Sequence, residues 1–233
     1  MSKPKITLFV DVVSPFAYLA FYALHNFPVF KQCEINYVPV FLAGIMKACG
    51  NTPPLKIKTP QNSRTPPDTR ADKDKYINTE RLRWSSLLNI PISQSPPPGF
   101  PTNTILIQRV LTAISLSHPT SLPSALALLW QSYWVHWNDP STEENMLAIL
   151  RTVVGGDQEA RKVLEKSRGE EVKQKLGEDT ERAVGEGAFG LPWFVATNNK
   201  GETERYWGVD HLGQLCDHLG LERPVGRGWK ALL

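Results

Sequence analysis

A strand–helix–strand pattern at one end of the chain and a strand–strand–helix pattern at the other, held apart by a long helical stretch, is the constraint that any fold of this sequence must meet. The runs Lys5 to Asp11 and Glu34 to Val40 are short and rich in β-branched and aromatic residues. Pro15 to Phe27 between them is aromatic and alanine-rich with helical spacing. Near the other end "LPWFVAT" and "ERYWG" read as two strands joined by the turn "NNKG", and "DHLGQLCDHLG" reads as a final helix that Asp210 caps and Gly220 ends. From about Tyr76 to Glu186 the pattern is helical almost throughout, with segments starting near Tyr76, Asn103, Leu122, Thr142, Gln158 and Glu170.

Local signals sharpen this reading. In "STEENMLAILRTVVGG" Ser141 is placed to cap a helix, Glu144 to close a capping box, and Gly155-Gly156 to stop it. The segment "ALALLWQSYWVHW" is apolar on nearly every side, so it belongs at the centre of a helical bundle or at a subunit contact, with its tryptophans packing. By contrast, "NTPPLKIKTPQNSRTPPDTRADKDK" is full of proline, threonine and charge, and reads as a surface loop over about 52–75. This order of elements is that of an α/β chain in which a thioredoxin-like sheet is interrupted by a helical insertion. The sheet then takes residues 1–45 and 187–233, and the all-helical insertion takes 46–186.

Composition narrows the function classes. The 26 basic and 23 acidic side chains are interleaved and leave a formal charge of +3, so there is no concentrated basic face for nucleic acid or membrane, and a small or neutral partner is expected. Only "ERPVGRGWK" is locally basic, which suits a solvated tail. Cys33, Cys49 and Cys216 show neither C-x-x-C nor metal-ligand spacing, so a reducing compartment and no metal are expected. The opening "MSKPKITLFVD" has neither a secretory apolar core nor a membrane span, and a soluble intracellular protein is expected.

The junction "LFVDVVSPFAYLAF" carries the chemistry. Ser14 is placed as a helix N-cap and Pro15 as the first helical residue, a pairing that backbone geometry favours with or without a function. Capping uses only the acceptor side of the hydroxyl, which leaves its proton to be donated to an anion in front of the helix. An anion there also meets the unpaired amides and the positive end of the helix dipole, the environment that lowers thiol pKa values at helix starts. The position suits the activation of a sulfur that the chain itself does not supply. A serine hydrolase is disfavoured, because there is no G-x-S-x-G elbow and no histidine spacing that nominates a base.

Together with "GIMKACGNTPP", "LNIPI" and "GAFGLPWFVA", the amino-terminal D-x-x-S-P-F resembles the kappa class of glutathione transferases and the related 2-hydroxychromene-2-carboxylate isomerases across essentially the whole chain. The resemblance implies a thioredoxin-like domain of the DsbA type with a helical insertion, a homodimer, and glutathione as co-substrate, with Ser14 replacing the redox cysteine and stabilising the glutathione thiolate. It also implies that a cis peptide bond between Leu191 and Pro192 presents the main chain of Leu191 to the cysteinyl part of glutathione. Asn51 would contact the tripeptide, although an Asx-turn before Pro53 is the plain structural alternative. Asp210 would hold the γ-glutamyl ammonium. Many relatives have serine before that aspartate and this chain has Val209, whose backbone amide is then the remaining donor. Lys73 sits at the family's offset from Tyr76, with Lys75, Lys58 or Lys56 as other sources of positive charge. Phe16 is placed to face the electrophile or the core, and Cys49 to be a small buried residue or a reactive thiol.

The leading expectation is therefore a glutathione transferase that conjugates small hydrophobic electrophiles or reduces peroxides. A glutathione-dependent isomerase of aromatic carbonyl compounds and a redox-dead thioredoxin-like scaffold for extended peptides are the rivals. The family's occurrence implies mitochondria or peroxisomes. No transit peptide is visible, and the ending "KALL" lacks the middle basic residue of a peroxisomal tripeptide, so the cytoplasm stays open.

Overall fold

β1 (Lys5–Val10) is the strand on which the two ends of the sequence meet. It pairs in parallel with β2 (Glu34–Pro39) on one side and antiparallel with β3 (Trp193–Thr197) on the other. β4 (Thr203–Trp207) pairs antiparallel with β3 at the edge, giving the order β2-β1-β3-β4. The computed structural model describes residues 2–51 and 68–225 together with Trp229, and for 68–74 the backbone only. The central strands are mostly buried, whereas β4 faces solvent along most of its length, as an edge strand should. The register sets Phe9 opposite Trp193 and Trp193 opposite Trp207, so these three rings share one face of the sheet.

The helices follow the expected order with three corrections. α1 (Pro15–Asn26) and α2 (Leu42–Ala48) follow β1 and β2. α3 spans Asp68–Leu88, so its start precedes Tyr76 and residues 68–75 are helix where a loop was expected. No proline or glycine interrupts the stretch after Pro67, and its arginine, alanine, lysine and glutamate residues favour helix without any apolar period. The remainder of the expected loop, 52–67, lies outside the described residues.

α4 (Ile105–Ser117), α5 (Leu122–Trp130), α6 (Glu143–Val154), α7 (Asp157–Lys166) and α8 (Glu170–Gly185) complete the helical part, and α9 (Leu212–Leu219) closes the chain's fold. Thr142, not Ser141, caps α6 by accepting from Asn145 N at 3.4 Å. The Ser141 amide is taken instead by Asp139 Oδ1 at 2.9 Å, which shifts the start by one residue and leaves Glu144 out of a capping box. Gly155 stops α6 at φ 84° as expected. Asp210 does not cap α9: it lies within a 3₁₀ turn, Val209–His211, and α9 begins after it, whereas Gly220 ends the helix at φ 67°.

One hydrophobic cluster runs from the sheet into the helices. A π-helical turn at Gln131–Val135 follows α5, and Trp130 and Trp134 are both buried, Trp134 Nε1 donating to Val12 O at 2.9 Å. Trp137, the third tryptophan of that segment, is exposed. Arg81 of α3 is only 2% exposed and donates to Ser93 O and Gln94 O at 2.7 Å each and to Asn78 Oδ1 at 2.8 Å, with its guanidinium over the Trp134 ring. Among the described residues, no helix is long and apolar enough to cross a membrane.

Candidate active site around Ser14

β1 ends at Val10, and the turn 11–14 delivers Ser14 to the start of α1. Ser14 N donates to Asp11 O at 3.0 Å, Tyr18 N donates to Ser14 O at 3.1 Å, and Ser14 Oγ caps the helix by accepting from Ala17 N at 3.2 Å. The hydroxyl proton points to Leu191 O at 3.4 Å, well beyond the 2.7–2.8 Å usual for a good O–H···O bond. The hydroxyl is buried, with an engaged acceptor side and a weakly engaged donor side.

The segment after α8 is held from three directions. Leu191 O faces Ser14; the Leu191–Pro192 peptide bond is cis; and Pro192 O accepts from Gly208 N at 3.1 Å. The end of α2 reaches the same segment, with Asn51 Nδ2 donating to Phe189 O at 3.2 Å and Cys49 Sγ donating to Ala188 O at 3.3 Å. Ser14, Leu191, Pro192 and Asn51 thus belong to one laced unit, to which Gly208 adds Val209 and Asp210. Val209 is buried and the Asp210 side chain is exposed, with Oδ1 3.5 Å from His211 Nδ1. Asp210 Oδ1 folds back onto Gly208, which sits at φ 93°, so a side chain at 208 would collide with it.

Other expected residues fall differently. Lys73 lies in α3, where its side chain is outside the described residues, as are Lys56 and Lys58; Lys75 is exposed. Phe16 is partly buried and packs against the hydrophobic core. Cys49 is exposed, not a small buried residue. Burial pushes the Cys33 thiol up to about 11 and the Cys216 thiol up to about 12, so neither is a thiolate near neutral pH. Among the described residues, no group of three His, Cys, Asp or Glu side chains is placed to hold a metal ion.

Two features escaped the sequence reading. Phe189 and Trp207, 41% and 46% exposed, pack with centroids 4.8 Å apart and ring planes tilted by 51° beside the Asn51 contact, and a Cβ at Gly190 would lie 2.9 Å from Trp207 Nε1. The glycine of the G-x-F-G-x-P block was the available signal: it permits that approach. A cavity of about 440 Å³ opens between α2, α4 and α8, lined by Phe41, Gly44, Arg109, Leu176 and Thr180 among others; none of the expected site residues lines it.

A family model described as a DSBA-like thioredoxin domain matches residues 5–220. Over 220 residues the chain is 31% identical to glutathione S-transferase kappa 1 of Rattus norvegicus, an alignment covering 92% of this chain and 90% of the relative. The chain belongs to the kappa-class, DsbA-like thioredoxin family. Solved structures agree on this family's fold. A 2-hydroxychromene-2-carboxylate isomerase superposes with a TM-score of 0.69 at 20% identity, covering 93% of this chain and 94% of the other. The cytosolic disulfide reductase DsbM of Pseudomonas aeruginosa, solved with GSH, gives 0.59 at 13% identity, covering 93% and 96%.

Proposed function

We propose that this protein is a glutathione transferase of the kappa type, in which Ser14 stabilises the thiolate of bound glutathione for attack on a small hydrophobic electrophile or a peroxide. The observation that carries the reading is the Ser14 hydroxyl. It sits at a helix start, its lone pair is used on Ala17 N, and its proton is held only by a 3.4 Å contact to Leu191 O, so a thiolate arriving there replaces a poor acceptor with a charged one. A free thiol of pKa about 8.5 is about 3% ionised at pH 7, and a depression of about two units, roughly 2.7 kcal/mol, makes it mostly thiolate. The α1 amides and dipole act in the same direction.

The chain's own thiols support a borrowed sulfur. Cys33 and Cys216 are held protonated by burial, and Cys49 donates its S–H to a carbonyl. On this reading the Leu191 main chain pairs with the cysteinyl part of glutathione, as in strand addition. Asn51 offers its amide, the Val209 amide and Asp210 take the γ-glutamyl end, and Lys73 supplies positive charge. The enzyme acts as a homodimer, and positioning with electrostatic stabilisation supplies the catalysis.

The solution of DsbM with GSH and the identity to the kappa transferase support glutathione as the ligand. The isomerase reading draws on the superposition with 2-hydroxychromene-2-carboxylate isomerase. Calorimetric titration with glutathione and with S-methylglutathione, followed by assay with a generic aryl halide, separates the readings. Binding with conjugation supports the transferase, and binding without conjugation favours the isomerase. Binding of neither overturns both in favour of a peptide scaffold.

A further inference from the structure

The D-x-x-S motif contains a second residue that the proposed chemistry does not use. Asp11 is fully buried, yet it is surrounded by donors from three parts of the fold. Its Oδ1 accepts from Val13 N at 3.1 Å within the turn, from Thr104 Oγ1 at 2.8 Å at the start of α4, and from Gln108 Nε2 at 2.9 Å one turn later. Its Oδ2 accepts from Leu42 N at 2.9 Å at the first residue of α2. The main-chain oxygen of the same residue takes the Ser14 amide at 3.0 Å. Burial is the largest influence and leaves the carboxyl's pKa raised, with the four side-chain bonds opposing it in part.

Every group that reaches the carboxylate is a donor, which suits the ionised form. Gln108 is turned so that Nε2 serves Asp11 while its Oε1 stays buried without a partner among the described residues. Among the described residues no lysine, arginine or histidine forms an ion pair with Asp11; Tyr133, which feels its charge, donates its hydroxyl to Thr102 Oγ1 at 2.8 Å. The carboxylate is therefore a junction that fixes the turn 11–14 against α2 and the helical insertion.

We infer that Asp11 is a positioning residue that sets the place of the Ser14 hydroxyl and the first α1 amides, by clamping the turn that carries them to Leu42, Thr104 and Gln108. The inference deepens the glutathione reading, but its test needs no glutathione. Two effects of Asp11 on an anion at position 14 have opposite signs. As a clamp it lowers the anion's energy by aiming the helix start, whereas as a nearby negative charge it raises it.

The full-length Ser14→Cys variant places a reporter thiol at that position, and its thiolate absorbance against pH, less that of the Ser14 parent, gives the local pKa. The helix start is expected to hold the reporter below 8.5. Adding Asp11→Asn should raise it by about one unit, a tenfold fall in the ratio of thiolate to thiol at a given pH. Thr104→Val and Gln108→Leu, which keep the charge and remove single donors, should raise it by less. A fall in reporter pKa with Asp11→Asn would show a charge effect alone, and an unchanged pKa with a lowered melting temperature would show a merely structural role; either overturns the inference. Should Asp11→Asn fail to fold, the two donor variants decide, and an unchanged reporter in both overturns it. Wild-type protein that ignores glutathione would sink the transferase reading and leave this result standing.

Discussion

The hydroxyl of Ser14 and the carbonyl oxygen of Leu191 stand 3.4 Å apart across a sequence separation of 177 residues. That contact joins the start of α1 to the segment before β3, so the closing of the sheet around the insertion is also what builds the site. It further implies that the serine has two separable jobs, since capping uses its lone pair and chemistry would use its proton.

Substitution at 14 separates those jobs. Ser14→Ala loses the cap and should cost about 1 kcal/mol of stability, a fall of about 2–4 °C in melting temperature. Ser14→Asn can still cap, so it should keep most of that stability while losing the hydroxyl. Calorimetry of both variants beside a conjugation assay checks this, with kcat expected to fall in both and stability in only one.

Gly208 is the second sensitive point. Its φ of 93° strains any side chain, and the Asp210 carboxylate folded onto it must move to admit a Cβ. Gly208→Ala should cost about 1–3 kcal/mol through backbone strain and push Asp210 aside. Denaturant midpoints report the first effect. Weaker binding of glutathione, with less change for a ligand lacking the γ-glutamyl amine, reports the second.

Arg81 carries a buried charge on the carbonyls of Ser93 and Gln94. Lysine has a point charge in place of the fork and cannot serve both carbonyls and Asn78 in the same geometry. Arg81→Lys should destabilise by about 2–3 kcal/mol, and Arg81→Ala by at least as much, because unsatisfied carbonyls remain. Urea unfolding followed by tryptophan fluorescence is sensitive to this, given the guanidinium over Trp134.

The buried thiols Cys33 and Cys216 should react far more slowly than an exposed one near neutral pH. With pKa values raised to about 11 and about 12, Cys33 and Cys216 are about 0.1% and 0.01% ionised at pH 8, and their thiolates rise tenfold per pH unit above it. Exposed Cys49 should therefore be labelled first by a maleimide or iodoacetamide, and mass mapping of the labelled peptide at pH 8 would show it.

Much of this was readable in the sequence because period and punctuation are local. The strands, α1, the Gly155 and Gly220 stops and the order of the helices follow from residues close together. Misreadings arose where neighbouring polar residues offer the same service to the backbone: Thr142 caps α6 in place of Ser141, whose own amide is held by Asp139, and Asp210 turned onto Gly208 instead of capping α9. The start of α3 was missed because helix propensity there carries no apolar period. The lacing of the end of α2 to Ala188 and Phe189 and the three bonds on Asp11 from Leu42, Thr104 and Gln108 join residues far apart, and no local pattern announces them.

The central claim is tested most directly by titrating the thiolate absorbance of glutathione bound to the wild-type protein and to Ser14→Ala. A pKa about two units below 8.5 in the wild type, returning most of the way in the variant, is the predicted result. Equal values in the two proteins would contradict it.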